Sequence, residues 1–234
     1  METVEQLNHA EYAMIDYVST IPRPDQGGKP ASQLFKTVMD FVISLIALLA
    51  AIPVMALIAL AIRLDSPGPA TFRGKRIGKD GEEFECHKFR TMFQNNEAIL
   101  EQHLSKNPAA REEWERFSKL KGDDPRVTRV GSMLRKTSLD ELPQFFDVLC
   151  GRMSVIGPRP YLPREKADMG MHSEVILSVK PGITGLWQVS GRNEIELKDR
   201  VRLETWYVRN WSLWLDITIL FRTVGAVIKR EGAY

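Results

Sequence analysis

The sequence predicts a mostly helical α+β chain with one membrane-embedded segment. Three observations predict it. From Phe41 to Ile62 no charged residue occurs, a stretch long enough to cross the hydrocarbon core of a bilayer. Two short strand-like stretches flank Asp80-Gly81, a strong hairpin turn signal. The rest of the chain alternates charged, helix-periodic runs with passages rich in proline and glycine.

The elements follow in order. Residues 1–33 are polar, with Pro22, Pro24, Gly27, Gly28 and Pro30 crowded together, and read as a flexible tail. Residues 34–64 form the apolar segment, and residues 65–234 a cytosolic domain. Ser66-Pro67-Gly68-Pro69 ends the segment with a sharp turn. Strands are expected over Ala70–Arg73 and Glu83–Phe89. A charged helix is expected from Gln94 to Leu120, with Trp114 and Phe117 facing inward. Helical pieces are expected over Ser132–Lys136 and Leu139–Leu149. A passage rich in proline and glycine then runs through Gly157-Pro158-Arg159-Pro160, Pro163 and Lys180–Gly185, and helix returns from Glu194 onward. Near the end Trp206, Tyr207, Trp211 and Trp214 precede Leu215, Ile217, Ile219, Leu220 and Phe221. This pattern fits amphipathic helices lying at a membrane interface, and equally a set of core aromatics. Asp216 and Arg222 interrupt it, so it does not span.

The apolar segment carries Pro53 at its middle. Proline has no N–H, and its ring clashes with the carbonyl of Leu49, which costs roughly 3 kcal/mol in a helix interior. A spanning helix with a kink satisfies the sequence. So does a helix that breaks at Ile52-Pro53 and leaves on the side it entered. Basic residues on both flanks, Lys36 on one and Arg63, Arg73, Lys75 and Arg76 on the other, favour the second, because positive charge stays cytoplasmic. Asp40 would then sit near the headgroups.

Composition excludes several classes. A net charge of +2 on 234 residues, without a concentrated basic face, argues against a nucleic-acid binder. Two cysteines, Cys86 and Cys150, are too few for a disulfide framework and suit a reduced, cytosol-facing location. No zinc, P-loop or dinucleotide motif occurs, and the histidines have no metal-ligand spacing. A multi-pass protein would need more than the one hydrophobic run.

Chemistry concentrates in Leu134-Arg135-Lys136-Thr137-Ser138-Leu139-Asp140-Glu141-Leu142-Pro143-Gln144. Ser138-x-x-Glu141 has the pattern of a capping box, which by itself accounts for the acidic pair. The functional reading is that a carboxylate attacks phosphorus, which requires cations to quench repulsion from an incoming diphosphate. Arg135, Lys88, Arg90 and Arg159 are the candidate cations, and arginine makes the bidentate contact that phosphate favours.

These residues sit in four motifs: KFRTM (Lys88 to Met92), LRKTSLDELPQ (Leu134 to Gln144), GRMSVIGPRP (Gly151 to Pro160) and KPGITGLWQVSGRN (Lys180 to Asn193). Together they resemble the bacterial sugar transferase family, the monotopic polyprenol-phosphate phosphoglycosyl transferases, over about Phe35 to Tyr234. The best match is the short, exopolysaccharide-initiating type, without the extra N-terminal transmembrane helices of large members.

The resemblance implies an enzyme of the bacterial inner membrane with its catalytic domain facing the cytosol. It implies transfer of galactose 1-phosphate or glucose 1-phosphate from a UDP-hexose to undecaprenyl phosphate, with release of UMP. Asp140 would match the nucleophile that becomes a covalent phosphosugar-aspartate, and Glu141 its partner. Mg²⁺ would bind at Asp140, while Lys88 and Arg135 would neutralise phosphate. Arg90, Arg159 and Arg192 would be further substrate contacts. Ile52-Pro53 would be the break of a re-entrant membrane helix, with isoleucine where many members have serine. A homodimer is compatible with the exposed apolar helices. The rival from another class is a non-catalytic, membrane-anchored partner protein docking through Gln94–Leu120.

Overall fold

The computed structural model describes residues 30–117, 120, 122, 124–190 and 197–229. The tail over 1–29 and Arg192 lie outside the described residues. The first element, α1 (Pro30–Asp65), is one helix of 36 residues, beginning four residues before its predicted start. At 1.5 Å per residue it is about 54 Å long. Helix continues through Ile52 and Pro53, so the expected break is a proline inside a helix rather than an interruption of it. Leu34, Phe35, Phe41, Ile46, Leu49, Ile52, Leu57, Leu60 and Leu64 are among a long series of large apolar side chains that α1 leaves exposed. By length and apolarity α1 is able to cross a membrane.

A hairpin follows. β1 (Thr71–Ile77) pairs with β2 (Glu83–Phe89), so the first strand extends beyond the expected Ala70–Arg73. Asp80 and Gly81 take left-handed backbone angles (φ 58° and 81°) at the turn, as an Asp-Gly pair should. The expected helix over Gln94–Leu120 is instead α2 (Asn96–Lys106) and α3 (Pro108–Phe117). Pro108 divides them, because it opens the second helix at a position where no N–H is needed. Then come α4 (Arg129–Thr137), a 3-10 turn over Leu139–Glu141 and α5 (Gln144–Leu149).

The Pro/Gly-rich passage contributes two short strands. β3 (Ser154–Ile156) and β4 (Gly182–Thr184) run parallel, with Ser154 opposite Gly182 and Ile156 opposite Thr184. A Cβ on Gly182 would lie 2.1 Å from the backbone nitrogen of Gly157, so only glycine permits this approach. Between these strands lie a 3-10 stretch over Pro163–His172 and α6 (Ser173–Ile176). After them come α7 (Leu186–Val189), α8 (Leu197–Arg209) and α9 (Leu213–Lys229).

The chain divides into two compact units. The larger takes 30–47, Lys75–Cys86 and the described residues from Gln144 onward. Its main core joins Cys86, Val148, Met153, Val155, Ile156, Leu186, Leu203, Tyr207, Leu215 and Ile219. The aromatic-rich C-terminal run is therefore largely core on its inner face, while Trp214, Phe221 and Val224 stay exposed on the outer one.

The start of α1 is clamped into this unit by buried charge. Lys36 Nζ donates to Asp216 Oδ2 (2.7 Å) and to the carbonyl of Ile156 (3.0 Å). Asp216, fully buried, also accepts from the Tyr207 hydroxyl (2.7 Å) and the Trp211 indole (3.0 Å). Asp40 accepts from Ser154 Oγ (2.7 Å) and the Val155 N–H (3.1 Å). Asp40 is thus buried against protein. Two donors to Asp40 and three to Asp216 offset the cost of burying a carboxylate, where lipid would offer none.

The smaller unit takes Leu48–Gly74 and His87–Pro143. Ile58 and Ile62 of α1 pack with Ala70, Phe89 and Leu134, flanked by Val130, Leu139 and Leu142. This core seats α4 and the turn after it on the second half of α1. Asp65 Oδ2 accepts the Val130 N–H (3.1 Å), satisfying one of the unpaired donors at the start of α4.

Candidate active site

The smaller unit brings Lys88, Arg135, Asp140 and Glu141 together. Lys88 lies one residue before the end of β2, where buried Phe89 and Cys86 fix the strand's register. α4 starts at Thr128, whose hydroxyl accepts the Gly131 N–H (3.0 Å), and ends at Ser138. Ser138 has φ 56°, a left-handed conformation that costs a non-glycine residue on the order of 1 kcal/mol. It turns the chain abruptly and delivers Asp140 and Glu141 on a single 3-10 turn.

The capping box read from Ser138-x-x-Glu141 does not form. The Ser138 side chain makes no cap hydrogen bond, and the turn closes through backbone alone, with the Glu141 N–H on the Ser138 carbonyl (3.3 Å). A left-handed serine cannot take the extended conformation that a capping residue needs. Glu141 turns instead to Lys88, whose Nζ donates to Oε1 at 2.6 Å. Both side chains remain about a quarter exposed, which leaves the pair accessible from solvent. The acidic pair is therefore not explained by helix capping.

Asp140 is half-buried. Burial pushes its carboxyl up to about 6, and the neighbouring Glu141 charge adds to the rise, against the pull of Lys88 and Arg135. Apart from its own backbone, no hydrogen bond supports the ionised form among the described residues. A carboxylate held this way is close to its own neutralisation point at neutral pH and is short of donors. Desolvation and the neighbouring Glu141 charge disfavour its ionised form, so it would gain from any further cation.

The arginines divide into two kinds. Arg135 Nε donates to Thr91 Oγ1 (3.0 Å), and its charge lowers the Asp140 carboxyl. Arg90 is buried, and its guanidinium donates to the carbonyls of Pro67, Ser66 (2.7 Å) and Ile62 (3.5 Å). It caps the C-terminal end of α1, where unpaired carbonyls concentrate. The structure therefore places Arg90 as a support of the fold rather than a donor open to substrate.

Three neighbours of Arg135, namely Asp124, Arg126 and Thr91, carry no role in the sequence reading. Arg126 forms a paired contact with Asp124 (Nη2 to Oδ2 2.6 Å, Nε to Oδ1 2.8 Å) and lies over the Trp114 ring at 4.8 Å. Burial alone would raise the Asp124 carboxyl, but the Arg126 hydrogen bonds outweigh it and hold the group below its usual value. Thr91 lies within a quoted motif but carried no assigned role. The Asp-Pro-Arg triplet at 124–126 is the signal that could have exposed the first pair, since two opposite charges flank a turn residue.

In the larger unit, Arg159 lies 3.8 Å from Glu165 and 5.8 Å from the Trp187 ring centroid. Its backbone N–H donates to Glu204 Oε1 (2.8 Å), and Glu204 also accepts from the Tyr161 hydroxyl. Burial pushes the Glu204 carboxyl up to about 7. Arg200 lies over the same indole at 4.3 Å. The same unit holds an apolar pocket of about 290 Å³ lined by Phe145, Val155, Ile183, Leu220 and Val224, with Thr184 and Thr223 bonded to each other.

Among the described residues no three His, Cys, Asp or Glu side chains gather as a metal site. Mg²⁺ is bound characteristically by one or two carboxylates together with substrate phosphates, so Asp140 and Glu141 fit it as a donor set.

A family model described as "Bacterial sugar transferase" matches residues 31–230. The "Undecaprenyl-phosphate galactose phosphotransferase" of Salmonella typhimurium is 47% identical over 206 residues, covering 88% of this chain and 43% of that protein. The "Exopolysaccharide production protein ExoY" of Sinorhizobium fredii is 42% identical over 214 residues, covering 92% of this chain and 94% of that protein. The "UDP-glucose:undecaprenyl-phosphate glucose-1-phosphate transferase" of Escherichia coli is 37% identical over 235 residues, covering 97% and 47%. The chain spans less than half the length of several curated relatives that it matches.

Proposed function

This chain belongs to the bacterial sugar transferase family, and on that premise we propose that it transfers a hexose 1-phosphate, galactose or glucose, from a UDP-sugar to undecaprenyl phosphate, starting an exopolysaccharide. The observation that carries the reading is Asp140, a carboxylate ionising at about 6, short of hydrogen-bond donors and flanked by Lys88 and Arg135.

The reaction runs in two displacements. An Asp140 oxygen attacks the sugar-proximal phosphorus, the Asp140 O–P bond forms and the bond to the UMP oxygen breaks. The phosphate oxygen of the lipid acceptor then attacks the same phosphorus and releases Asp140. UMP leaves before the lipid reacts, which gives ping-pong kinetics. Arg135 and Lys88 offset charge on the transferring phosphoryl group. Glu141, held by Lys88, is the group placed to position the acceptor or accept its proton. Asp140 would hold Mg²⁺, which would supply neutralisation of the negative charge on the phosphates during transfer and on the departing UMP.

The apolar exposed face of α1 supports a membrane location, and the basic flank after it supports a cytosol-facing site at the bacterial inner membrane. In this reading α1 bends at Pro53, dips into one leaflet and returns. Cysteines introduced at Val38 and Ala61 should then react with an impermeant thiol reagent from the same side. Labelling from opposite sides overturns the re-entrant geometry.

A panel of UDP-hexoses with undecaprenyl phosphate tests the activity. At least one sugar should release UMP and label the protein covalently, and Asp140→Asn should abolish both while membrane partitioning persists. EDTA should stop turnover and Mg²⁺ restore it. Full activity in Asp140→Asn sinks the nucleophile assignment, turnover under chelation sinks the metal role, and no UMP from any sugar favours the non-catalytic partner.

A further inference from the structure

We infer that Thr91 is a positioning residue for Arg135: its hydroxyl fixes the guanidinium so that the terminal nitrogens present themselves to the phosphoryl group at Asp140. The inference rests on the reaction proposed above.

Three contacts tie Thr91 to α4. Its carbonyl accepts the Thr128 N–H (3.0 Å) immediately before the helix. The same carbonyl lies so close to Gly131 that a Cβ there would sit 2.1 Å from it. Its hydroxyl accepts from Arg135 Nε (3.0 Å). Gly131 and Arg135 are four residues apart and share one helix face, so Thr91 packs along that face over one turn. On the strand side, the bridge between Met92 and Val127 and the Phe93 N–H on the Arg126 carbonyl (2.9 Å) hold the same segment in place. Thr91 is thus fixed by its backbone from two directions, and its hydroxyl has a defined position before any substrate arrives.

The chemistry requires such a fixture. Arginine carries five N–H groups in a planar fork, and bidentate recognition of phosphate uses the Nη edge. A guanidinium anchored only through Nε keeps that edge free and cannot rotate about its last bond without losing the anchor. Two carboxylates compete for Arg135 in this unit, Asp140 and Asp124, while Arg126 repels it. Asp124 is already engaged by Arg126 in a paired contact. Without the Thr91 hydroxyl, Arg135 is free to turn toward Asp124 and away from Asp140. Preorganised cations act on developing charge only when they are already aimed.

Thr91→Val removes the acceptor and keeps the shape, and Thr91→Ser keeps the acceptor. The variants are compared in two assays. With UDP-hexose and undecaprenyl phosphate, Thr91→Val should lower kcat by about tenfold or more with a smaller change in KM, and Thr91→Ser should return to within about threefold of wild type. Independently of activity, the arginine Nε–H resonance that Arg135→Lys deletes should be protected from exchange in wild type and Thr91→Ser, and exchange faster in Thr91→Val. An unchanged resonance and unchanged kcat in Thr91→Val overturn the inference. Equal losses in the serine and valine variants also overturn it, by assigning the effect to packing of the methyl group. A protected resonance with no turnover in wild type would leave the contact standing and overturn the reaction reading and the catalytic purpose assigned to Thr91.

Discussion

Two regions of this molecule each place aspartate beside lysine, with opposite results. In the larger unit, Asp216 accepts from Lys36, Tyr207 and Trp211, and is fully buried. In the smaller unit, Asp140 feels Lys88 and Arg135 but receives no side-chain hydrogen bond among the described residues. Lys88 gives its short contact to Glu141 instead. The first carboxylate is satisfied, and its lysine and aromatic donors clamp the start of α1 to α9. The second is left short of donors and is raised toward neutrality by burial. A saturated buried ion pair holds structure, whereas an unsaturated one is available for chemistry.

The largest effect should come from unbalancing the saturated region. Asp216→Asn removes the nearer carboxylate of Lys36, leaving Asp40 at 3.9 Å, and should cost about 3 kcal/mol of stability. Thermal unfolding in detergent measures it, and a loss under about 1 kcal/mol would contradict a clamp at this position.

Breaking the unsaturated region should have the reverse profile. Lys88→Met should lower UMP release by about 10²–10³-fold and leave the unfolding temperature nearly unchanged, because a part-exposed ion pair contributes little to stability. The pH profile sharpens the point. Asp140 must be ionised to attack, so kcat/KM should rise with pH through about 6. Loss of Lys88 removes a charge that lowers the Asp140 carboxyl, so the acid limb should move to higher pH in the variant. A limb that stays in place would mean that another group sets it.

Much of this was legible from residue type and spacing. Asp80-Gly81 announced its hairpin because left-handed backbone favours those residues. The uncharged run Phe41–Ile62 announced an apolar helix because length and composition suffice for it. The densest cluster of acid and base, Arg135 to Glu141, marked the candidate site. β3 and β4 were not legible: each is three residues long, too short for a period, and they pair across a separation that local patterns do not record.

The sequence by itself determined the family, the apolar segment and the identity of the acidic pair, because motifs, hydropathy and turn chemistry are local properties. Only the tertiary structure decided what each charge is for. It gave Arg90 to the carbonyls ending α1, Asp40 to Ser154 and Val155, and Glu141 to Lys88 in place of the Ser138 cap. Those assignments depend on which donors reach which acceptors across distant stretches of chain, and burial fixes how strongly each carboxylate needs them.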